Sequence, residues 1–234
     1  MSCIQSAWIW CKRFRHRKGY GVHSPFAFNL ITWVIYEKMP YYVFSELKTK
    51  RKEHLKECRH FLPDKVYRTE KTDKLLFRLV NHIQPSTLLE IGTCSGLSTL
   101  YMSAVGKSIC CISVDNVNDM NKFASRLLGD IENVQLRVGD ISQSLPDIVD
   151  SLQKIDFLHL NYSYVNDDIL EVCLSKVHSY SIMVIEGIHA SKEMQKWWNR
   201  VIDDDRIGIT FDLYSIGIIF FDKMKIKQHY VVNF

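Results

Sequence analysis

The chain has 234 residues, a formal net charge of +4 and 47% hydrophobic residues, which suits one α/β domain with an extension and excludes a disordered or low-complexity protein. Its seven cysteines are scattered without a Cys-x-x-Cys pair, which argues against a disulfide scaffold and for a reducing, cytoplasmic setting. No clustered thiols or histidines suggest a zinc site.

Charge is distributed unevenly. Residues 1–71 hold 15 Lys/Arg against 6 Asp/Glu, a net of +9 that leaves the rest of the chain at −5. The apolar stretch from Ser6 to Trp10 is too short for a secretion signal, and its basic residues follow rather than precede it. No run reaches the ~18 apolar residues of a membrane span. After Trp8, Ile9 and Trp10 comes Lys12-Arg13-Phe14-Arg15-His16-Arg17-Lys18. The ordinary reading of such a run is a solvated helix face or frayed tail; the functional ones are contact with RNA phosphates or with an anionic membrane face. Gly19-Tyr20-Gly21-Val22-His23-Ser24-Pro25-Phe26 looks like a turn into a helix, with Ser24 as N-cap and Pro25 at the first helical position. Helices are expected over 26–35 and 44–58. Together residues 1–72 form a helical annex, with apolar Phe28, Leu30, Ile31, Trp33 and Val34 needing a partner surface.

From residue 74 onward, apolar runs of strand length alternate with segments of helical period, the signature of a parallel sheet with crossover helices. Strands are expected at 87–92, 109–114, 134–138, 155–160 and 181–185. The helices between them fall at 96–105, 120–128, 144–152 and 167–177, with 193–202 following the fifth strand. Pro146 is compatible with a first helical turn. Trp197 and Trp198 sit at core spacing, so at least one is packing. After 202 the alternation stops: 207–213, 216–221 and 229–234 are strand-like, with no room for helices between them. Short connections call for antiparallel pairing. Residues 73–234 thus read as an α/β domain, mostly parallel with antiparallel C-terminal strands.

The most informative stretch is Thr87-Leu88-Leu89-Glu90-Ile91-Gly92-Thr93-Cys94-Ser95-Gly96-Leu97-Ser98-Thr99. An apolar strand ends in an acid, passes two glycines four residues apart and enters a helix. Gly92 lets the turn approach a ligand without a Cβ in the way, and Gly96 lets the helix start pack close to the strand. A dinucleotide fingerprint would want Gly at 94 and 97, where this chain has Cys94 and Leu97. Glu-x-Gly-x-x-x-Gly resembles motif I of the class I S-adenosylmethionine-dependent methyltransferases, closest to their catechol-O-methyltransferase-like branch. The Tyr-Gly-x-His-Ser-Pro-Phe segment and the later Ile188–Met194 run resemble a bacterial group of that branch over nearly the whole chain. The resemblance implies a Rossmann-like methyltransferase sheet of seven strands with an N-terminal helical annex, and S-adenosyl-L-methionine as cofactor.

The cofactor positions that match are Glu90, Gly92, Thr93, Gly96, Asp115 and Asp140. Asp115 ends the second strand, where an acid can accept both ribose hydroxyls; alternatively it helps the dipole of the next helix. Asp140 ends the third strand, where related enzymes bond the adenine amino group; alternatively it starts a turn. Glu90 orders the glycine turn, meets the methionine ammonium through water, or caps loop amides. Relatives place an Asp after strand four and an Asp-Asn pair after strand five to hold a divalent cation. Here those places read Leu160-Asn161-Tyr162 and Ile185-Glu186-Gly187, a poor donor set for Mg²⁺, so no metal is expected.

The acceptor side then rests on His189, Asn161 and Glu186, with Tyr162 and Tyr164 nearby. His189 is the candidate base because its ordinary pKa lies near neutrality; its bland alternative is a helix-entry histidine bonded to backbone. His159, inside strand four, reads as a buried hydrogen-bonded residue. His23 reaches the site only if the annex folds over it. The expectation is methyl transfer to an oxygen or nitrogen of a small-molecule acceptor. Methylation of RNA or protein through the basic annex is the second reading, and a degenerate, cofactor-binding interaction protein the third.

Overall fold

The computed structural model describes residues 3–61 and 69–234. Among them, eight strands form one sheet: β1 (Thr87–Ile91), β2 (Cys110–Asp115), β3 (Val134–Val138), β4 (Ile155–Leu160), β5 (Val177–Glu186), β6 (Ile209–Asp212), β7 (Ile216–Phe220) and β8 (Gln228–Val231). Their spatial order is β3-β2-β1-β4-β5-β7-β6-β8. The direction of winding reverses between β1 and β4, the switch point outside which open α/β sheets bind ligands. Nine α-helices accompany them among the described residues: α1 (Cys3–Lys12), α2 (Pro25–Leu30), α3 (Val43–Cys58), α4 (Glu70–Ile83), α5 (Leu97–Ser103), α6 (Asn121–Leu128), α7 (Ile141–Ser151), α8 (Asp167–Leu174) and α9 (Lys192–Asp203).

Strand side chains alternate between two buried faces, which is why the central strands are apolar almost throughout. Leu88, Phe157, Ile182 and Val184 pack on one face with Leu75, Leu76 and Leu79 of α4. Leu89, Leu158, Met183 and Ile185 pack on the other with Leu145 and Val149 of α7, Leu170 of α8, and both Trp197 and Trp198 of α9. No helix among the described residues is long and apolar enough to cross a membrane.

The annex residues Ala27, Leu30, Ile31, Val34 and Ile35 share the first of these cores with the sheet, and Phe26 meets Phe220 edge-on at 5.0 Å. Phe28 and Trp33 do not join them: they are 42% and 69% exposed, contrary to the expected apolar set. Phe28 turns instead to the loop before α2, where its ring lies against Gly19, and Trp33 falls on the outer side of the π-type turns over Ile31–Ile35. Further back, α3 is tied to α4 by a buried Arg51–Asp73 ion pair.

Several element limits differ from expectation. Asp140 accepts from Ser142 N, so α7 starts at Ile141 and Pro146 stands inside the helix rather than in its first turn. Val177 belongs to β5, where it pairs with Ile155, so α8 stops at Leu174. Of the C-terminal strands only β7 runs antiparallel; β8 lies beyond β6, with which it pairs in parallel, adding an eighth strand at the edge. The connection from β7 to β8 starts and ends at the same end of the sheet, level with Ile209, and has only to pass β6, so consecutive strands still alternate in direction as short connections require.

If the annex helix is part of the main core, Leu30→Ala and Ile31→Ala each lower unfolding free energy by about 2–5 kcal/mol, like a sheet residue such as Leu88→Ala. Urea denaturation measures this, and a loss below that of a surface substitution would show the annex to be an appendage.

Candidate functional site

The carboxyl ends of β1, β2 and β4 carry a row of polar side chains on one face of the sheet. Register places Glu90 beside Ser113 of β2 and His159 of β4. Glu90 is fully buried and accepts from Ser98 Oγ at 2.5 Å, Ser113 Oγ at 2.6 Å and Thr99 Oγ1, and pairs with His159 Nδ1 at 2.9 Å. Thr93 Oγ1 and Ser113 Oγ are 2.6 Å apart. Ser113 gives its single proton to Glu90, so Thr93 donates to Ser113, and the glycine turn is held to the buried acid through two hydroxyls.

On its far side, His159 Nε2 lies 2.9 Å from Glu186 Oε1 at the end of β5. Both ring nitrogens face carboxylates. Burial opposes a charge on His159, but the hydrogen bonds to Glu186 and Glu90 outweigh it and hold the ring above its ordinary pKa. Burial pushes the Glu90 carboxyl up, but the bonds from His159, Ser113 and Ser98 hold it below its ordinary value.

The turn after β1 needs positive φ at Gly92 (+97°), Cys94 (+51°) and Gly96 (+85°). Cys94 N donates to Asp115 Oδ2 at 2.7 Å, so the turn is pinned to the acid that ends β2. The other oxygen, Oδ1, accepts from Tyr164 O–H, and Asp115 is 1% exposed. Tyr164 belongs to a tight 3₁₀ turn, Tyr162–Tyr164, whose N-cap Asn161 accepts from Ser163 N at 3.1 Å. A Cβ on Gly92 would lie 2.5 Å from Asn161 Cβ and 2.8 Å from the Tyr164 ring; one on Gly187 (φ +68°) would lie 2.8 Å from Tyr162 Cβ. What approaches Gly92 is therefore the chain's own turn, and Gly96 faces Ala124 and Leu128 of α6 rather than the strand. Burial, followed by the Asp115 bond, raises the Tyr164 pKa, so the phenol stays a donor.

His189 is not brought to this turn. Its Nε2 pairs with Asp212 Oδ2 at 2.7 Å and its ring stacks on Tyr214 at 4.9 Å. Arg13 of the annex approaches the same carboxylate at 2.8 and 3.0 Å. Burial would raise the Asp212 pKa, yet the bonds from His189 and Arg13 hold it well below the usual carboxylate range. Asp212 ends β6, four strand positions from β1 and hence about 19 Å away at ~4.8 Å per step. Asp140 is exposed and engaged as the cap of α7 through Ser142 N at 2.9 Å. Above the turn, α3 supplies a wall: Leu55 and Cys58 pack with Cys94, Met120 and Phe123. Apart from this wall, a cleft of about 410 Å³ opens between α8 and α9, lined by Val165, Asp167, Met194 and Trp197.

Sequence reasoning singled out His159 as buried but not its two carboxylate partners, and passed over Asp212 altogether. Only Asp212's position as the polar end of an apolar strand could have signalled it.

No protein-family model and no curated protein matches the chain. Solved structures do resemble it. An SAH-bound methyltransferase from Podospora anserina is 14% identical with a TM-score of 0.62, the match covering 79% of this chain and 98% of that one. For the O-methyltransferase from Bacillus cereus in complex with SAH, identity is 15%, TM-score 0.59, and coverage 82% and 96%. TomG from Streptomyces achromogenes, an O-methyltransferase of tomaymycin synthesis in complex with SAM, gives 14%, 0.58, and 81% and 93%. At such identities the likeness is one of fold: this is a Rossmann-like methyltransferase fold.

The His159 pairings have a pH signature. Because its pKa is raised on folding, the stability it contributes is complete below the ordinary histidine value of about 6.5 and is lost as pH climbs through the raised value. Melting temperature should fall across that alkaline window, and Glu186→Gln, which removes one support of the imidazolium, should move the fall to lower pH. An unchanged profile in the variant would mean that Glu186 does not hold the ring.

Proposed function

We propose that the chain is an S-adenosylmethionine-dependent methyltransferase acting on an oxygen or nitrogen of a small-molecule acceptor without a metal ion, in a cytoplasmic setting. The observation that carries this reading is the positive-φ glycine turn after β1 bonded to the acid that ends β2, at the switch point of a sheet like those solved with SAH and SAM.

The donor set suits an adenosyl group. Asp115 can accept ribose hydroxyls, and Gly92 and Thr93 shape a turn whose glycine carries no side chain of its own. In this conformation the chain fills the place itself, with the Tyr164 ring against Gly92 and its O–H on Asp115. A phenol O–H gives a carboxylate the same kind of hydrogen bond as a ribose hydroxyl. The nucleoside therefore fits when the Tyr162–Tyr164 turn lifts and Asp115 exchanges one donor for another.

Bound S-adenosylmethionine supplies an electrophilic methyl on sulfur. The residues of this chain do the rest. Asp115 orients the ribose, and Asp140 offers its carboxylate toward the adenine edge. Glu90, saturated by four partners, works through Ser113 and Thr93 to hold the turn and does not touch the ligand. His189, held by Asp212 away from the turn, contacts a distal part of the acceptor through the ring nitrogen not bonded to Asp212, and the proton of the methylated atom leaves to solvent. Asn161 and Glu186 border the acceptor between these two centres. A metal has little place here: Glu186 is engaged with His159, Asn161 caps its turn, and Tyr162 occupies the space beside Gly187. Residues 1–72 serve as wall and lid through α3.

The closed Tyr164–Asp115 contact also favours a second reading, a non-catalytic relative whose turn never lifts. Calorimetric titration with S-adenosylhomocysteine separates the two. Binding is expected, weakened by about 1.5–3 kcal/mol in Asp115→Ala as for a bond to a charged group, and tightened about fivefold in Tyr164→Phe, which removes the competing donor. Absence of heat and thermal shift for both wild type and Tyr164→Phe would leave only the non-catalytic reading.

Methyl transfer to an extract fraction should survive a strong chelator. Loss of turnover restored by Mg²⁺ would overturn the metal-independent mechanism.

A further inference from the structure

Among the described side chains of the N-terminal segment, the large aromatic ones face outward. Of the five tryptophans, Trp197 and Trp198 are buried in α9, while Trp8, Trp10 and Trp33 are 59%, 46% and 69% exposed. Trp8, Cys11 and Phe14 follow at three-residue spacing along α1 and the turn after it, so they share a face, and all three are exposed. The opposite side is the anchored one, with Ile9 half-buried and Arg13 paired with Asp212. Backbone bonds fasten the segment as well: Asn233 N donates to His16 O at 2.9 Å and Asn233 Nδ2 to Trp10 O at 3.3 Å. An apolar stripe fixed in place and aimed at solvent is an unusual use of tryptophan, which folding ordinarily buries.

Charge accompanies the stripe. Residues 1–36 contain no Asp or Glu. Among the described residues, Lys12, Arg15, Arg17 and Lys18 pair with no carboxylate. Lys12 Nζ lies 4.0 Å from the Trp8 ring centre, and the Arg17 guanidinium 5.2 Å from Trp10 and 5.4 Å from Phe14. Aromatic rings with cations at their flanks match a bilayer surface, where the rings enter the headgroup region and the cations meet lipid phosphates. Rings already faced by the chain's own cations, on a single convex helix, are poor platforms for nucleic-acid bases.

We propose that α1 and the turn after it, through Trp8, Cys11, Phe14, Lys12, Arg15, Arg17 and Lys18, form a docking surface for an anionic membrane. The proposal is independent of methyl transfer.

The test is co-sedimentation of the full chain with vesicles of pure phosphatidylcholine and with vesicles in which about a third of the lipid is phosphatidylglycerol. Binding is expected on the anionic vesicles only, weakening as salt rises, with tryptophan emission shifted to the blue. Exposed residues can be replaced without loss of fold, checked by an unchanged melting temperature. Trp8→Ser with Phe14→Ser should cut partitioning about tenfold, and each of Lys12→Gln, Arg15→Gln and Lys18→Gln about fivefold. Equal binding to both vesicles, or to neither, would overturn the proposal. So would a concentration-dependent dimer that Trp8→Ser with Phe14→Ser dissociates, or RNA binding that anionic vesicles do not compete away.

Discussion

A fully buried carboxylate organises the carboxyl edge of this sheet. Glu90 takes hydrogen bonds from α5 through Ser98 and Thr99, from β2 through Ser113 and from β4 through His159, and His159 extends the line to Glu186 on β5. An ionised acid without water must have its lone pairs filled, and here four partners fill them. The consequence is positional: four strand ends and the first helix after the glycine turn are fixed relative to one another. The turn inherits that rigidity through Thr93 and Ser113.

Rigidity on one side of the glycine turn contrasts with a single phenol bond to Asp115 on the other. The Tyr162–Tyr164 turn rests on two glycines, Gly92 and Gly187, whose missing Cβ atoms leave the space that Asn161, Tyr162 and Tyr164 occupy. Its only polar hold on Asp115 is a phenol, a neutral donor and hence easier to exchange than a cation would be. The arrangement also accounts for Gly187, which stands where the resemblance would place a ligand acid: any side chain there meets Tyr162. A substitution at Gly92 thus disturbs the chain's own packing as well as any ligand, so Asp115 and Tyr164 are the cleaner positions to vary.

Much of the sheet was legible in the sequence because buried parallel strands read as uninterrupted apolar runs and the helices between them as amphipathic ones. Glu90, Gly92 and Asp115 stood out for the same reason, polar or achiral residues at the ends of apolar strands. Contacts set by long-range register were not legible. Nothing near residue 164 in the chain points to Asp115, and His159 shows its two carboxylates only once β1, β4 and β5 are aligned. Pairing of β8 with β6 was hidden because edge order depends on which way a loop crosses, and spacing alone is silent on that. The outward stripe on α1 was invisible too, since helical spacing gives a shared face but not the side on which Arg13 finds Asp212.

On the proposed reading, Asp115 is one acceptor with two alternative donors, Tyr164 and a ribose. A crystal structure of the chain grown with saturating S-adenosylhomocysteine tests it directly. The expected structure has ribose hydroxyls on Asp115, Tyr164 lifted from Gly92, and Glu90, His159 and Glu186 unmoved. A structure with Tyr164 still bonded to Asp115 and the nucleoside absent, or bound elsewhere, would contradict it.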